Sequence, residues 1–198
     1  MLGYKVMLSL SKSGNISHNL YDREYVYDIQ TTLDVKNFRD NAKRFVRDTF
    51  PIKVEPLQKS NQLPSIEMLK QWYQKHYTAL QDFGQTIYTL EHFSDLGLEG
   101  DVFYINDAVK GISLYQTNMT KAIHITSKDM GQPFLQDYMR YYTYEKLSRA
   151  GVRTVYDGSD GDQPGLAIYK LKLRPTLIIP IYTVTPKRRE SPSTEVAP

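Results

Sequence analysis

Chemistry needs polar side chains gathered in one place, and two loops of this sequence carry them. The run Lys128-Asp-Met130-Gly131-Gln132-Pro133 leaves a segment of strand character and opens a helical one. Backbone N–H groups at such a junction, with the positive end of a helix dipole behind them, form a cradle for an anion. The run Asp157-Gly-Ser-Asp160-Gly-Asp162 follows the next strand, and Tyr169 and Lys170 stand on the helix after it. Adjacent parallel strands ending in an anion cradle and a carboxylate–tyrosine–lysine cluster would make a group-transfer site. A turn rich in Asp and Gly also serves simply to solvate a corner, and the residues alone leave both readings open.

A third feature is a stripe of charge. Val35, Phe38, Ala42, Phe45, Val46 and Thr49 recur at helical spacing, and Lys36, Arg39, Lys43 and Arg47 fall within an arc of roughly 80° beside them. Residues 36–53 hold six basic and two acidic side chains, while the remainder carries 19 basic and 20 acidic ones. One segment thus supplies the whole positive excess of +3. Such a stripe grips phosphate or is an ordinary solvated helix face; the sequence leaves both open.

Other chemistries find little support. The chain has no Cys and no Gly-x-Ser-x-Gly elbow, and its four histidines (His18, His76, His92, His124) lack the spacing of a helical zinc site. His124 reads as a core or surface histidine. The loop from Asp157 resembles a calcium loop only faintly, since its twelfth position is Ile168. There is no Walker loop and no G-x-G-x-x-G, and no metal is expected.

The elements that must position these residues can be read in order. Tyr4–Leu10 suggests a strand, Ser11–His18 a loop and Tyr25–Tyr27 a short strand. A helix is expected over Leu33–Phe50, stopped by Pro51, and a second over Ile66–Tyr77 with Ser65 as N-cap. Leu80, Phe83, Ile87, Leu90 and Phe93 suggest a third, ending near Gly97. Val102–Ile105, a turn at Asn106-Asp107 and Val109–Gln116 read as a hairpin, with Ala122–Thr126 as the next strand. Pro133–Ala150 is helical, Val152–Tyr156 a strand parallel to the one before, Gly165–Leu173 a short helix and Leu177–Val184 a last strand. This order predicts an α+β fold with a mixed sheet flanked by helices.

At 198 residues and 23.0 kDa the chain has room for one compact domain or a domain with a small attachment. Its 16 Tyr, 7 Phe and one Trp exclude general disorder. Those tyrosines read as half-buried core residues, or alternatively as stacking surfaces for bases. The longest apolar run, Leu177–Ile181, is too short to span a bilayer, and no secretory signal is visible. A cytoplasmic protein is the expectation.

Two stretches resemble a known family. They are Leu90-Glu-His-Phe-Ser-Asp-Leu-Gly-Leu-Glu-Gly-Asp-Val-Phe-Tyr-Ile-Asn106 with the hairpin after it, and Asp160-Gly-Asp-Gln-Pro-Gly165-Leu166-Ala-Ile-Tyr-Lys170-Leu-Lys-Leu-Arg-Pro175. Both are similar to the C-terminal domain of lysyl-phosphatidylglycerol synthases and their soluble relatives, which have the acyltransferase fold of the GNAT superfamily. Asp160, Gly165, Leu166, Lys170 and Pro175 stand at the family's places. Two departures stand out: the chain has room for only one of the family's paired halves, and the pyrophosphate signature of CoA-dependent members is missing. Only Lys128, Met130, Gly131 and Gln132 occupy its place.

The resemblance implies a GNAT-like core over 55–185, preceded by a lead-in with the basic helix over 1–54; residues 186–198, with three prolines and no apolar periodicity, read as a disordered tail. It implies transfer of an acyl or aminoacyl group, from acyl-CoA or aminoacyl-tRNA, to an amine or hydroxyl of a larger acceptor such as a modified base in nucleic acid. Asp160 would be the base or acceptor-orienting carboxylate, Tyr169 the general acid, and Lys170 the group that holds a donor phosphate or the oxyanion. Lys36, Arg39, Lys43 and Arg47 would meet tRNA or DNA, and a second copy of the chain could replace the missing half as a homodimer. The alternative is a non-catalytic nucleic-acid or protein binding module on a degenerate transferase fold.

Overall fold

Val102-Phe-Tyr-Ile105 is apolar on successive residues because both sides of its strand are covered. In the computed structural model, which describes residues 16–76, 82–161 and 163–186, Val102 packs with Ile112, Leu114, Ile66 and Leu69 on one face of a sheet. Phe103 and Ile105 pack with Leu135 and Met139 on the other. The sheet has seven strands: β1 (Ile16–Asp28), β2 (Ile52–Pro56), β3 (Glu99–Ile105), β4 (Ala108–Asn118), β5 (Lys121–Asp129), β6 (Thr154–Tyr156) and β7 (Leu177–Pro186). They lie in the order β2-β3-β4-β5-β6-β1-β7. All neighbours are antiparallel except β5 and β6, whose parallel pairing is the one expected from sequence.

The helices are α1 (Ile29–Leu33), α2 (Lys36–Asp48), α3 (Lys59–Lys75), α4 (Phe83–Glu91), α5 (Leu135–Arg149) and α6 (Pro164–Lys172). Helix α5 is buried along Leu135, Met139, Thr143, Tyr144 and Leu147, with α2 packed beside it. Helices α3 and α4 cover the opposite face at β3 and β4. Gly111 is needed for this packing, because a Cβ there would collide with the Met139 sulfur.

Several expected boundaries change. The helix expected over 33–50 divides at Asp34-Val35, since Asp28 caps the short α1 by accepting the Thr31 N–H at 2.8 Å and Val35 is extended. Helix α3 begins at Lys59, not after Ser65. Gln58 and Asn61 form a reciprocal capping box there, and Ser65 Oγ instead donates to the Asn61 carbonyl inside the helix. Strand β1 starts at Ile16, within the expected loop, and β2 was not foreseen. The asparagine–aspartate turn holds: both residues have positive φ (50° and 60°), as a tight hairpin turn requires. The strand over 4–10 and the tail after 186 lie outside the described residues. Strands β1 and β2, which fall in or straddle the 1–54 lead-in, belong to the same sheet as the rest.

Candidate active site

Strands β5 and β6 pair only over Lys121–Ile123 and Thr154–Tyr156. Strand β6 then ends, while β5 continues to Asp129 paired to β4 alone. Between Tyr115↔His124 and Leu114↔Thr126, β5 carries one extra residue, Ile125. A bulge of this kind bends a strand and re-aims its side chains. The gap where the parallel strands part is a cleft of about 330 Å³, walled by β5, residues 157–161 and Gln163, α6 and the first turns of α5.

The loop turns its acids inward. Asp157 is buried and receives His124 Nδ1 at 2.6 Å on one oxygen and a short hydrogen bond from Arg140 Nη1 on the other. Lys170 Nζ lies 3.7 Å from the same carboxylate. Burial alone would raise this carboxyl, but Arg140, His124 and Lys170 together hold it well below the usual carboxylate range. Burial pushes His124 down, against the pull of Asp157, and its Nε2 meets Ser113 Oγ at 3.2 Å. Ser113–His124–Asp157 has the connectivity of a hydrolytic triad, but Ser113 is fully buried and does not line the cleft. It is a core polar network.

Arg140 is 4% exposed, lines the cleft and lies over the Tyr169 ring, 5.3 Å from its centroid. Among the described residues, its Nε has no hydrogen-bond partner. Asp160, 5% exposed, also lines the cleft, and its Oδ2 accepts the Tyr25 hydroxyl at 2.5 Å.

The structure brings together Lys128, Asp160 and Lys170 among the residues expected from sequence. Lys170, however, spends its ammonium on the loop: it donates to the carbonyls of Asp157, Gly158 at 3.0 Å and Ser159 at 2.7 Å. With all three protons so placed, it shapes the loop and has none left for a donor phosphate. Tyr169 points away from the cleft, into a cavity of about 310 Å³ shared with Lys36, Asn41, Asp137 and Arg174. Burial raises its phenol well above the ordinary value. Met130, Gly131 and Gln132 do not line the cleft. Lys36, Arg39, Lys43 and Arg47 stand on α2 beside α5, none of them in the cleft, and Arg47 pairs with Asp48 at 2.8 Å.

Arg140 and His124 were missed as site residues. Each meets Asp157 from a distant element, and the only sequence signal was a pair of polar side chains inside otherwise apolar patterns.

No protein-family model and no curated protein matches the chain. Solved structures do. A conserved protein of unknown function from Bacteroides thetaiotaomicron matches with TM-score 0.81 and 15% identity, over 93% of this chain and 67% of that one. The C-terminal DUF2156 domain of a putative lysylphosphatidylglycerol synthetase from Agrobacterium fabrum gives 0.66 and 15%, over 90% and 64%. A tandem GNAT protein from the clavulanic acid biosynthesis pathway gives 0.52 and 12%, over 92% and 58%. The chain therefore has the expected GNAT-like α+β fold, and it spans about two thirds or less of the length of these structures. Among the described residues, no helix is long and apolar enough to cross a membrane.

Proposed function

We propose that the chain transfers an acyl or aminoacyl group, within the β5/β6 cleft, to an amine or hydroxyl of a larger acceptor. The observation that carries this reading is the parting of two parallel strands beside a bulge, with Arg140 and Asp160 buried at the opening. In this scheme the acceptor nitrogen or oxygen attacks the donor carbonyl carbon, and the bond from that carbon to the leaving oxygen or sulfur breaks. Asp160, oriented by Tyr25, takes the acceptor proton and returns it to the leaving atom, so that the step balances. Arg140, fixed by Asp157 and the Tyr169 ring, faces the charge that develops on the carbonyl oxygen. Lys170 acts as a positioning residue that holds the 157–159 backbone. The α2 stripe is the natural contact for the phosphates of a nucleic-acid donor or acceptor.

The test is turnover of labelled acetyl-CoA and of labelled aminoacyl-tRNA with a mixture of amines, nucleosides and nucleic acid. Asp160→Asn and Arg140→Lys should each lower the rate by about 10²–10³-fold. A wild-type chain that turns over neither donor yet still binds nucleic acid would sink the transferase reading and leave the binding module.

A further inference from the structure

The cavity behind Tyr169 is a second concave space, apart from the cleft. At about 310 Å³ it reaches the lower end of the range of small-molecule pockets. Three cations line it from two elements: Lys36 in the first turn of α2, Lys172 in the last turn of α6 and Arg174 just past that turn. Among the described residues none of the three has an ion-pair partner. The single acid on the wall, Asp137, accepts Asn41 Nδ2 at 2.7 Å. Three positive charges therefore face one negative charge. Hydrogen-bond donors gather in the same space. The N-cap of α2 is Val35, whose side chain cannot accept, so no side chain caps the amides of the first turn, whose residues Lys36, Asn37 and Phe38 line the cavity. The Tyr169 hydroxyl is buried and has no hydrogen-bond partner among the described residues, Asp137 standing beside it outside hydrogen-bond geometry. Burial pushes that phenol well above the ordinary value, against the Arg140 charge, so it keeps its proton and can donate it. Buried hydroxyls are as a rule hydrogen-bonded, and this one marks a place where an acceptor belongs.

We propose that this cavity binds an organic phosphate monoester, with its phosphate among Lys36, Lys172 and Arg174 and its hydroxyl-bearing body against Asp137 and Tyr169. Charge sets the class. A phosphate monoester carries between one and two negative charges near neutral pH and three strong acceptor oxygens, which match three cations and the open turn of α2. A carboxylate brings one charge and two oxygens, and leaves part of that wall unanswered. A hydroxyl on the body of the ligand would donate to Asp137, the one acceptor charge in the space. The same chemistry has two sources, a free sugar phosphate or the terminal phosphate of a nucleic acid, since Lys36 also begins the α2 stripe. The inference does not rest on the transferase reading, which concerns the cleft on the other side of Tyr169.

The experiment is calorimetric titration of the full chain with ribose 5-phosphate, with a short 5′-phosphorylated oligonucleotide and with the same oligonucleotide lacking its phosphate. One of the two phosphate ligands should saturate a single site per chain. Lys172→Gln with Arg174→Gln should weaken that binding at least about tenfold. Tyr169→Phe keeps the ring beneath Arg140 and removes only the hydroxyl, and should weaken it by about three- to tenfold. Lys43→Gln with Arg47→Gln changes exposed cations of α2 outside the cavity, and should leave the binding of ribose 5-phosphate as it was. Stronger binding of the phosphorylated oligonucleotide, lost without its phosphate, supports the site with nucleic acid as the source; stronger binding of ribose 5-phosphate supports it with a free sugar phosphate. Lys172 and Arg174 are exposed, so their double variant decides the matter even if Tyr169→Phe does not fold. No saturable binding of either phosphate ligand, or no weakening in the Lys172 and Arg174 double variant, overturns the proposal. These titrations do not depend on turnover, so a chain inactive with both donors would defeat the transferase reading and leave the cavity to be judged by its own binding data.

Discussion

His124 sits buried between an acid and an alcohol at the wall of the cleft, and its protonation is a stability question. Its pKa lies below the ordinary 6.5 in the folded chain, so the unfolded chain takes up the proton first as pH falls. The native state is therefore favoured fully above that value and loses ground as pH drops below it. The melting temperature should fall between about pH 7.5 and pH 5.5, and His124→Gln should flatten that slope; an unchanged slope would show that His124 is not the titrating group. Asp157 carries the larger mechanical role. Asp157→Asn leaves the Arg140 guanidinium buried without its counter-charge, and should cost about 3–5 kcal/mol in denaturant unfolding. Asp160 and Lys170 were legible in sequence because they share one short loop and the helix after it. Arg140 and His124 were not, because their partner lies 17 and 33 residues away and no local pattern announces a contact across elements.

The strands and helices that hold these residues were legible wherever periodicity was long. Helix α5 and the β3–β4 hairpin came through with their ends shifted by only a few residues. The failures were of another kind. Ser65 read as a helix start, but the capping box at Gln58 and Asn61 lies earlier, and Pro64 rides exposed within the helix. Strand β2 has five residues and a mixed burial pattern, too short for alternation to show. The bulge at Ile125 is invisible to any pattern, since it exists only as a mismatch between β4 and β5. At this scale the packing of α5 on the sheet is the feature to test. Gly111→Ala drives a Cβ into the Met139 sulfur and should destabilise by about 1–3 kcal/mol. Met139→Ala added to it should cost less than the sum of the two single changes, because the clash goes with the side chain that makes it. Strict additivity in urea unfolding would mean that the two do not meet.

Among the described residues, charge is arranged differently in the cleft and on the basic helix. The cleft's cations are answered locally: Arg140 by Asp157, Lys128 by Asp82 at 3.4 Å, and Lys170 by loop carbonyls. Little net field is left there to draw a polyanion from a distance. Helix α2 is the reverse, since Lys36, Arg39, Lys43 and Arg47 rise from one face while the acids near them, Asp40 and Asp48, are fewer. Nucleic-acid affinity, where it exists, should therefore belong to α2 and behave as counterion release. Four phosphate contacts to a single strand give a slope of about −3 in a plot of log K against log salt. Changing all four residues to Gln should flatten that slope toward zero; at the exposed Lys36, Lys43 and Arg47 the change should move the unfolding free energy by no more than about 0.5 kcal/mol each, Arg39 being half-buried. Asp160→Asn should leave the slope untouched, because its side chain is buried in the cleft and answers to Tyr25. A slope lost in the Asp160 variant, or kept in the α2 variant, would place the polyanion in the cleft and undo this division between gripping and chemistry.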